Sequence, residues 1–159
     1  GVKMARPDAE VIALVGDGSY LMMNSEIATS MMLKQKLIVV VLDNRGYGCI
    51  QRLQLASGSP RFNNLLEDCG TPPAIDFAAN ARSLGAQAVH VEDIAELRSA
   101  MRAARAAKTT QVIVIDTTPW RTTGDGGAWW EVAIPEISPR AEVRSARERY
   151  ETGKRGQRA

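Results

Sequence analysis

Four stretches of the chain are apolar without alternating polar positions: residues 11–15 (VIALV), 37–42 (LIVVVL), 112–115 (VIVI) and a weaker 86–91. A strand buried on one face alternates with period two. A run that is apolar throughout is covered on both faces, which is the mark of a parallel sheet in an α/β fold. Period-3.6 patterns lie between the runs. Residues 24–34 put Ile27, Ala28, Met31 and Met32 on one side, with Asn24 or Ser25 as cap and Glu26 in the first turn. Residues 77–84 follow a cap at Asp76 and stop at Gly85, and residues 94–107 are amphipathic behind Asp93. The order β-α-β-loop-α-β-α-β predicts a doubly wound parallel sheet with helices on both faces, joined by right-handed crossovers. Residues 45–71 break this rhythm, and a loop so long is expected to be functional or to carry a short helix. Residues 1–118 therefore read as one α/β domain. Residues 119–159 read as an irregular carboxyl-terminal extension ending in a charged helix over 141–158.

The charge is unevenly spread. The formal net charge of +2 hides a segment from Arg140 to Ala159 with seven basic and three acidic residues, while residues 1–139 carry 13 basic and 15 acidic. A mildly acidic body argues against nucleic-acid binding, which needs a basic face for phosphates. A hydrophobic fraction of 45% suffices for a core. Cys49 and Cys69 form neither a zinc pattern nor a disulfide framework, so a reducing cytoplasm is expected. The longest apolar run is too short to span a bilayer, and no membrane association is expected. The opening Gly1-Val2-Lys3, without Met, reads like mid-domain sequence, so a fragment of a longer protein is expected.

Ligands of open α/β sheets bind beyond the carboxyl ends of the strands. Two consecutive strands here end in Gly-flanked, oxygen-bearing turns: Gly16-Asp17-Gly18-Ser19 and Asp43-Asn44-Arg45-Gly46. The Asp17 carboxylate, the Asn44 side-chain carbonyl and a backbone carbonyl near Gly46 make a hard-oxygen set suited to Mg²⁺. Gly16 and Gly18 admit a close ligand. Ser19 and the amides opening the next helix suit an anion. The pattern reads as Mg²⁺ plus a diphosphate. A second Gly124-Asp125-Gly126 serves as an internal control. No apolar strand precedes it, and the spacing of 25 residues that separates Gly18 from Asn44 leads from Gly126 to Thr152. It reads as a turn.

GDG followed after that spacing by Asn at the end of an apolar strand resembles the diphosphate-binding motif of thiamine-diphosphate enzymes, the acetolactate-synthase-like superfamily. Over nearly the whole chain, GDGSYLMMNSEIATSMMLKQKLIVVVLDNRGYGCIQRLQ, FNNLL and GGAWWEVAIPEIS resemble one branch, the trihydroxycyclohexane-1,2-dione hydrolases of bacterial inositol catabolism. Acetolactate-synthase relatives commonly read Asn-Asn where this chain has Asp43-Asn44. The resemblance implies a thiamine-diphosphate-binding fold, with thiamine diphosphate and Mg²⁺ as cofactors. Asp17, Asn44 and the Gly46 carbonyl would take the metal. Gly16, Gly18, Ser19 and Asn44 would line the diphosphate, with Tyr47 and Gly48, and the stretch 20–23, nearer the thiazolium. The implied chemistry is the cofactor's own: its thiazolium carbon adds to a ketone and it acts as electron sink. In this branch a C–C bond of the cyclic dione is hydrolysed, opening the ring to 5-deoxy-glucuronate in myo-inositol degradation. The family's activating glutamate comes from a separate pyrimidine-binding domain of a neighbouring subunit. No residue here matches it, so no catalytic residue is assigned, the fragment alone is expected to be inactive, and a homodimer or homotetramer is implied.

Two other functions fit parts of the pattern: a carboligase or decarboxylase acting on pyruvate, and a non-catalytic nucleotide- or phosphate-binding module using the same strand ends. His90, the single histidine, is expected to be a satisfied or half-exposed imidazole. Cys49 is expected to be a buried inert thiol, Met22, Met23, Met31 and Met32 core packing, Trp129 and Trp130 packing, and the basic tail a solvated helix. Nothing in the sequence separates Arg45 and Arg52, or Asn63 and Asn64, from ordinary surface residues.

Overall fold

The computed structural model describes residues 1–70, 75–121 and 133–156. The second GDG at 124–126 and Trp129-Trp130 lie outside the described residues. The described chain divides into two compact units, one of residues 1–46 and 73–118, the other of residues 47–72 and 119–159.

The first unit opens with a short helix, α1 (Val2–Ala5), and continues through β1 (Ile12–Gly16), α2 (Asp17–Met23), α3 (Ser25–Met32) and β2 (Ile38–Asp43). In the second unit, α4 (Gly48–Ala56) and a 3₁₀ turn at Leu66–Cys69 fill the long aperiodic stretch. The first unit resumes with α5 (Phe77–Ser83), β3 (Gln87–Val91), α6 (Ile94–Ala106) and β4 (Gln111–Asp116), and α7 (Ala141–Arg155) belongs to the second. The four strands are all parallel, in the order β1-β2-β4-β3.

Helices cover both faces, as the apolar runs imply. On one face Val39, Val41, Val112 and Val114 meet Tyr20 and Ile27 from α2 and α3, and Phe77, Ala78 and Ala81 from α5. On the other, Ile38, Val40, Ile113 and Ile115 meet Leu97, Ala100, Met101 and Ala104 of α6. Asp76 and Asp93 cap α5 and α6 through Ala79 N–H and Glu96 N–H, both at 2.8 Å, and Gly85, at φ +97°, ends the α5 segment in the left-handed region.

Several expectations are corrected. Coverage on both faces holds for β2 and β4 but not for the outer strands. Leu14 of β1 is 70% exposed, because α6 packs over β4 and β3 and leaves that face of β1 open among the described residues. Met22, Met23 and Met32 are exposed and so are not core. Cys49 is exposed rather than buried. Asn24 does not cap α3: it is itself helical, so α2 runs almost directly into α3, and its Nδ2 donates to Asn80 Oδ1 instead. The charged tail helix is not solvated all round, since Val143, Ala146 and Tyr150 form a buried stripe at helical spacing.

Tyr20 O–H donates to the same Asn80 Oδ1 at 2.8 Å, and burial pushes its phenol up to about 12. An unfolded tyrosine ionises near 10. The buried phenol therefore contributes fully below pH 10, and stability falls as pH rises from about 10 to 12. Denaturant titrations across that window should show the decline, and Tyr20→Phe should flatten it while removing about 1 kcal/mol at neutral pH.

Within the second unit, Gly58 has φ +81°, and a Cβ there would meet Glu142 O at 2.4 Å and Val143 N at 2.6 Å. Both obstacles are backbone and cannot swing aside. Gly58→Ala should destabilise by about 2 kcal/mol or more, read as earlier proteolysis at α7.

Candidate functional site

The carboxyl ends of β1 and β2 lie side by side, with Gly16 in register with Leu42. Gly16 closes β1, and Asp17 immediately starts α2, so the GDGS segment is a strand-to-helix junction with no intervening loop. Asp17 is only 2% exposed. Its Oδ2 accepts Gly46 N–H at 2.6 Å, and its Oδ1 accepts a longer contact from Asn44 N–H at 3.4 Å. The carboxylate thus ties the turn after β2 to the end of β1.

One terminal atom of the Asn44 amide stands 3.3 Å from Asp17 Oδ1 and 2.9 Å from the Gly46 carbonyl oxygen. As nitrogen it donates to both oxygens, the assignment that satisfies the cluster by hydrogen bonding alone. Turned over, the amide brings a third oxygen to the same point. A carboxylate, an amide and a backbone carbonyl then lie together, a set of acceptors that a cation or a hydrogen-bond donor such as water satisfies.

Gly16 has φ −73°, and an added Cβ would meet nothing within 4 Å. Neither backbone strain nor crowding requires glycine there, so its smallness leaves space free beside the junction. Gly18 is buried and Ser19 exposed at the start of α2. Tyr47 and Gly48 belong to the second unit, where Tyr47 N–H donates to Asn64 O at 2.7 Å.

Sequence reasoning did not foresee that Asp43, Arg45, His90 and Asp116 meet around the turn, although His90 is satisfied and half-exposed as expected. Arg45 has φ +65°, a left-handed conformation that costs a non-glycine residue about 1–2 kcal/mol. Its N–H donates to Asp43 Oδ1 at 2.9 Å, and its Nη2 donates to Asp116 Oδ2 at 2.8 Å. The other Asp116 oxygen lies 2.8 Å from His90 Nε2. Burial pushes the Asp43 carboxyl up, helped by repulsion from Asp17 and Asp116 and opposed by the Arg45 N–H. The His90 hydrogen bond, with Arg45 beside it, holds Asp116 below the usual carboxylate range, and Asp116 in turn pushes the Arg45 guanidinium further up. One signal was available in the sequence: β2 and β4 both end in aspartate, and Asp43 and Asp116 are partners in register. Arg52 and Asn64 are not free surface residues either. Arg52 Nη1 donates to Pro119 O at 2.9 Å and Asn64 Nδ2 to Gln51 Oε1 at 3.1 Å.

Residues 1–117 match the family described as thiamine pyrophosphate enzyme, C-terminal TPP binding domain. The chain is 36% identical over 156 residues to the 3D-(3,5/4)-trihydroxycyclohexane-1,2-dione hydrolase of Bacillus thuringiensis (strain Al Hakam), covering 93% of this chain and 24% of that protein. It is 34% identical over 160 residues to the protein of the same name from Bacillus velezensis, covering 96% of this chain. The chain thus spans about a quarter of the length of these curated relatives. Among solved structures, a Rhodococcus jostii RHA1 thiamine diphosphate-dependent 4-hydroxybenzoylformate decarboxylase matches with TM-score 0.65 and 25% identity, covering 73% of this chain and 21% of that one. Benzoylformate decarboxylase from Polynucleobacter necessarius matches with TM-score 0.65 and 29% identity, covering 74% and 21%.

Proposed function

Because the chain belongs to the thiamine pyrophosphate enzymes through their C-terminal cofactor-binding domain, we propose that it is the diphosphate- and Mg²⁺-binding part of a hydrolase. The proposed reaction cleaves a C–C bond of trihydroxycyclohexane-1,2-dione and opens the ring to 5-deoxy-glucuronate. Coverage is the observation that carries this substrate class. The likeness to the Bacillus proteins takes in 93% of the chain, a share that cannot fit within residues 1–117 and so includes part of the extension. The two decarboxylase structures cover 73% and 74% of this chain.

In this reading the cofactor domain is residues 1–118, and 119–159 is a carboxyl-terminal extension. Asp17, Asn44 and the Gly46 carbonyl hold Mg²⁺, which requires the Asn44 amide to turn its oxygen toward the other two, giving a donor set that fits a small hard cation. Gly16, Gly18 and Ser19 line the diphosphate with Asn44, in keeping with the open space beside Gly16. Tyr47 and Gly48 keep the thiazolium-side place that their sequence motif implies. When bound, thiamine diphosphate supplies the carbon nucleophile and the electron sink. This chain's residues neutralise, orient and fix the cofactor's charged end. The activating carboxylate comes from a pyrimidine-binding domain, in a cytoplasmic homodimer or homotetramer. No helix among the described residues is long and apolar enough to cross a membrane.

Turnover by the full-length protein separates the enzymatic readings. Activity on the cyclic dione and not on pyruvate is expected, and activity on pyruvate alone overturns the assignment in favour of an acetolactate-synthase-like carboligase. Calorimetry with Mg²⁺ and thiamine diphosphate, against ATP or NAD, tests the phosphate-binding module. Tighter binding of ATP would favour that module.

A further inference from the structure

Asp116, the last residue of β4, uses both carboxylate oxygens on side chains from other elements: His90 on β3 and Arg45 in the turn after β2. Arg45 stands between Asn44 and Gly46, two of the three positions assigned to the metal, and its backbone is in the left-handed region. It is fastened at both ends. The N–H donates to Asp43 Oδ1, the Nε lies 3.7 Å from Asp43 Oδ2, and the Nη2 meets Asp116. The same strand ends are locked a second time, since Thr117 N–H and Oγ1 both donate to Asp43 O, at 2.7 and 3.2 Å. An exposed positive-φ residue in this otherwise half-buried turn persists only when its surroundings over-determine it. Here the Asp43 and Asp116 contacts do so.

We propose that Arg45 and Asp116, braced by His90, are positioning residues that hold the turn in the conformation presenting the Asn44 side chain and the Gly46 carbonyl to Asp17. Neither need touch the metal or the cofactor. Their contribution is geometric, in the way that groups behind a metal ligand set its orientation. The inference rests on the metal-site reading above.

Electrostatics alone predicts the opposite outcome for one of the two residues. Removing a guanidinium beside a cation site should tighten cation binding, whereas removing a carboxylate should weaken it. Positioning predicts that both substitutions weaken binding.

The test is Mn²⁺ binding to the full-length protein without thiamine diphosphate, followed by the electron paramagnetic resonance of free Mn²⁺. Omitting the diphosphate removes any direct attraction between Arg45 and that anion. Arg45→Gln and Asp116→Asn should each weaken Mn²⁺ binding about tenfold. The double variant should bind no more weakly than either single one, because one linkage is broken in all three. Their side chains are 62% and 48% exposed, so neither substitution opens the core. Unchanged or tighter Mn²⁺ binding by Arg45→Gln, with Asp17→Ala abolishing it, overturns the positioning role alone. If Asp17→Ala binds Mn²⁺ as wild type does, the metal-site reading itself has failed and this inference falls with it.

Discussion

Asp17→Ala should abolish the metal-dependent part of thiamine diphosphate binding, a loss of about 100-fold or more at fixed Mg²⁺ in titration calorimetry of the full-length protein. Two effects combine. The variant removes the one carboxylate of the proposed metal set, and it deprives Gly46 N–H and Asn44 N–H of their acceptor, so the turn that carries the other two oxygens loses its tie to β1. Bonds from a backbone donor to a charged acceptor contribute about 1.5–3 kcal/mol, so the tie alone accounts for at least a tenfold change. Asp17→Asn separates the two effects. It keeps an acceptor for the turn while losing the charge, and so should fall between wild type and Asp17→Ala. Asp125→Ala, in the second GDG, should bind as wild type does, since no apolar strand precedes that motif and Thr152 stands where an asparagine is required. Equal behaviour of Asp17→Ala and Asp125→Ala would falsify the motif reading.

Phe77→Ala should be the most damaging of the core truncations, lowering unfolding free energy by about 3–5 kcal/mol in a urea titration of the full-length protein. Phe77 is 3% exposed at the start of α5 and meets Tyr20 of α2 edge to face, with centroids 5.6 Å apart and an interplanar angle of 88°. The loss comprises the transfer energy of the ring, the cavity left between two helices and the sheet, and the aromatic pair itself. Tyr20 lies three residues after Asp17 on the same short helix, so the cavity also loosens the element that carries the metal-site carboxylate. Ile113→Val, on the opposite face of the sheet, should cost only about 1 kcal/mol and leave cofactor affinity unchanged. A Phe77→Ala variant within 1 kcal/mol of wild type would show that α5 is not held as described.

Much of this was legible in the sequence because the signals are local. A parallel strand covered by helices on both faces must be apolar throughout, so β2 and β4 announce themselves, and Asp76 and Asp93 cap their helices by contacts within three residues. The GDG-to-Asn spacing is legible for the same reason: one helix and one strand have a fixed reach, so both turns come to one sheet edge. The exposure of Leu14, Met22, Met23 and Met32 was not legible. Periodicity shows which residues share a side of an element but not whether another element covers that side.

The sequence by itself therefore determined the α/β class, the caps of α5 and α6, the nearness of Asp17 to Asn44 and Gly46, and the family. Each follows from short-range periodicity or from a spacing that the geometry of secondary structure keeps fixed. Only the tertiary structure decided that Asp43, Arg45, His90 and Asp116 meet around that turn. His90 is 45 residues from Arg45 and Asp116 is 71 away. What brings them together is the order β1-β2-β4-β3, which sets β4 beside β2 and between it and β3. Strand order arises from crossovers and packing summed over the whole sheet, and no local run of residues encodes it.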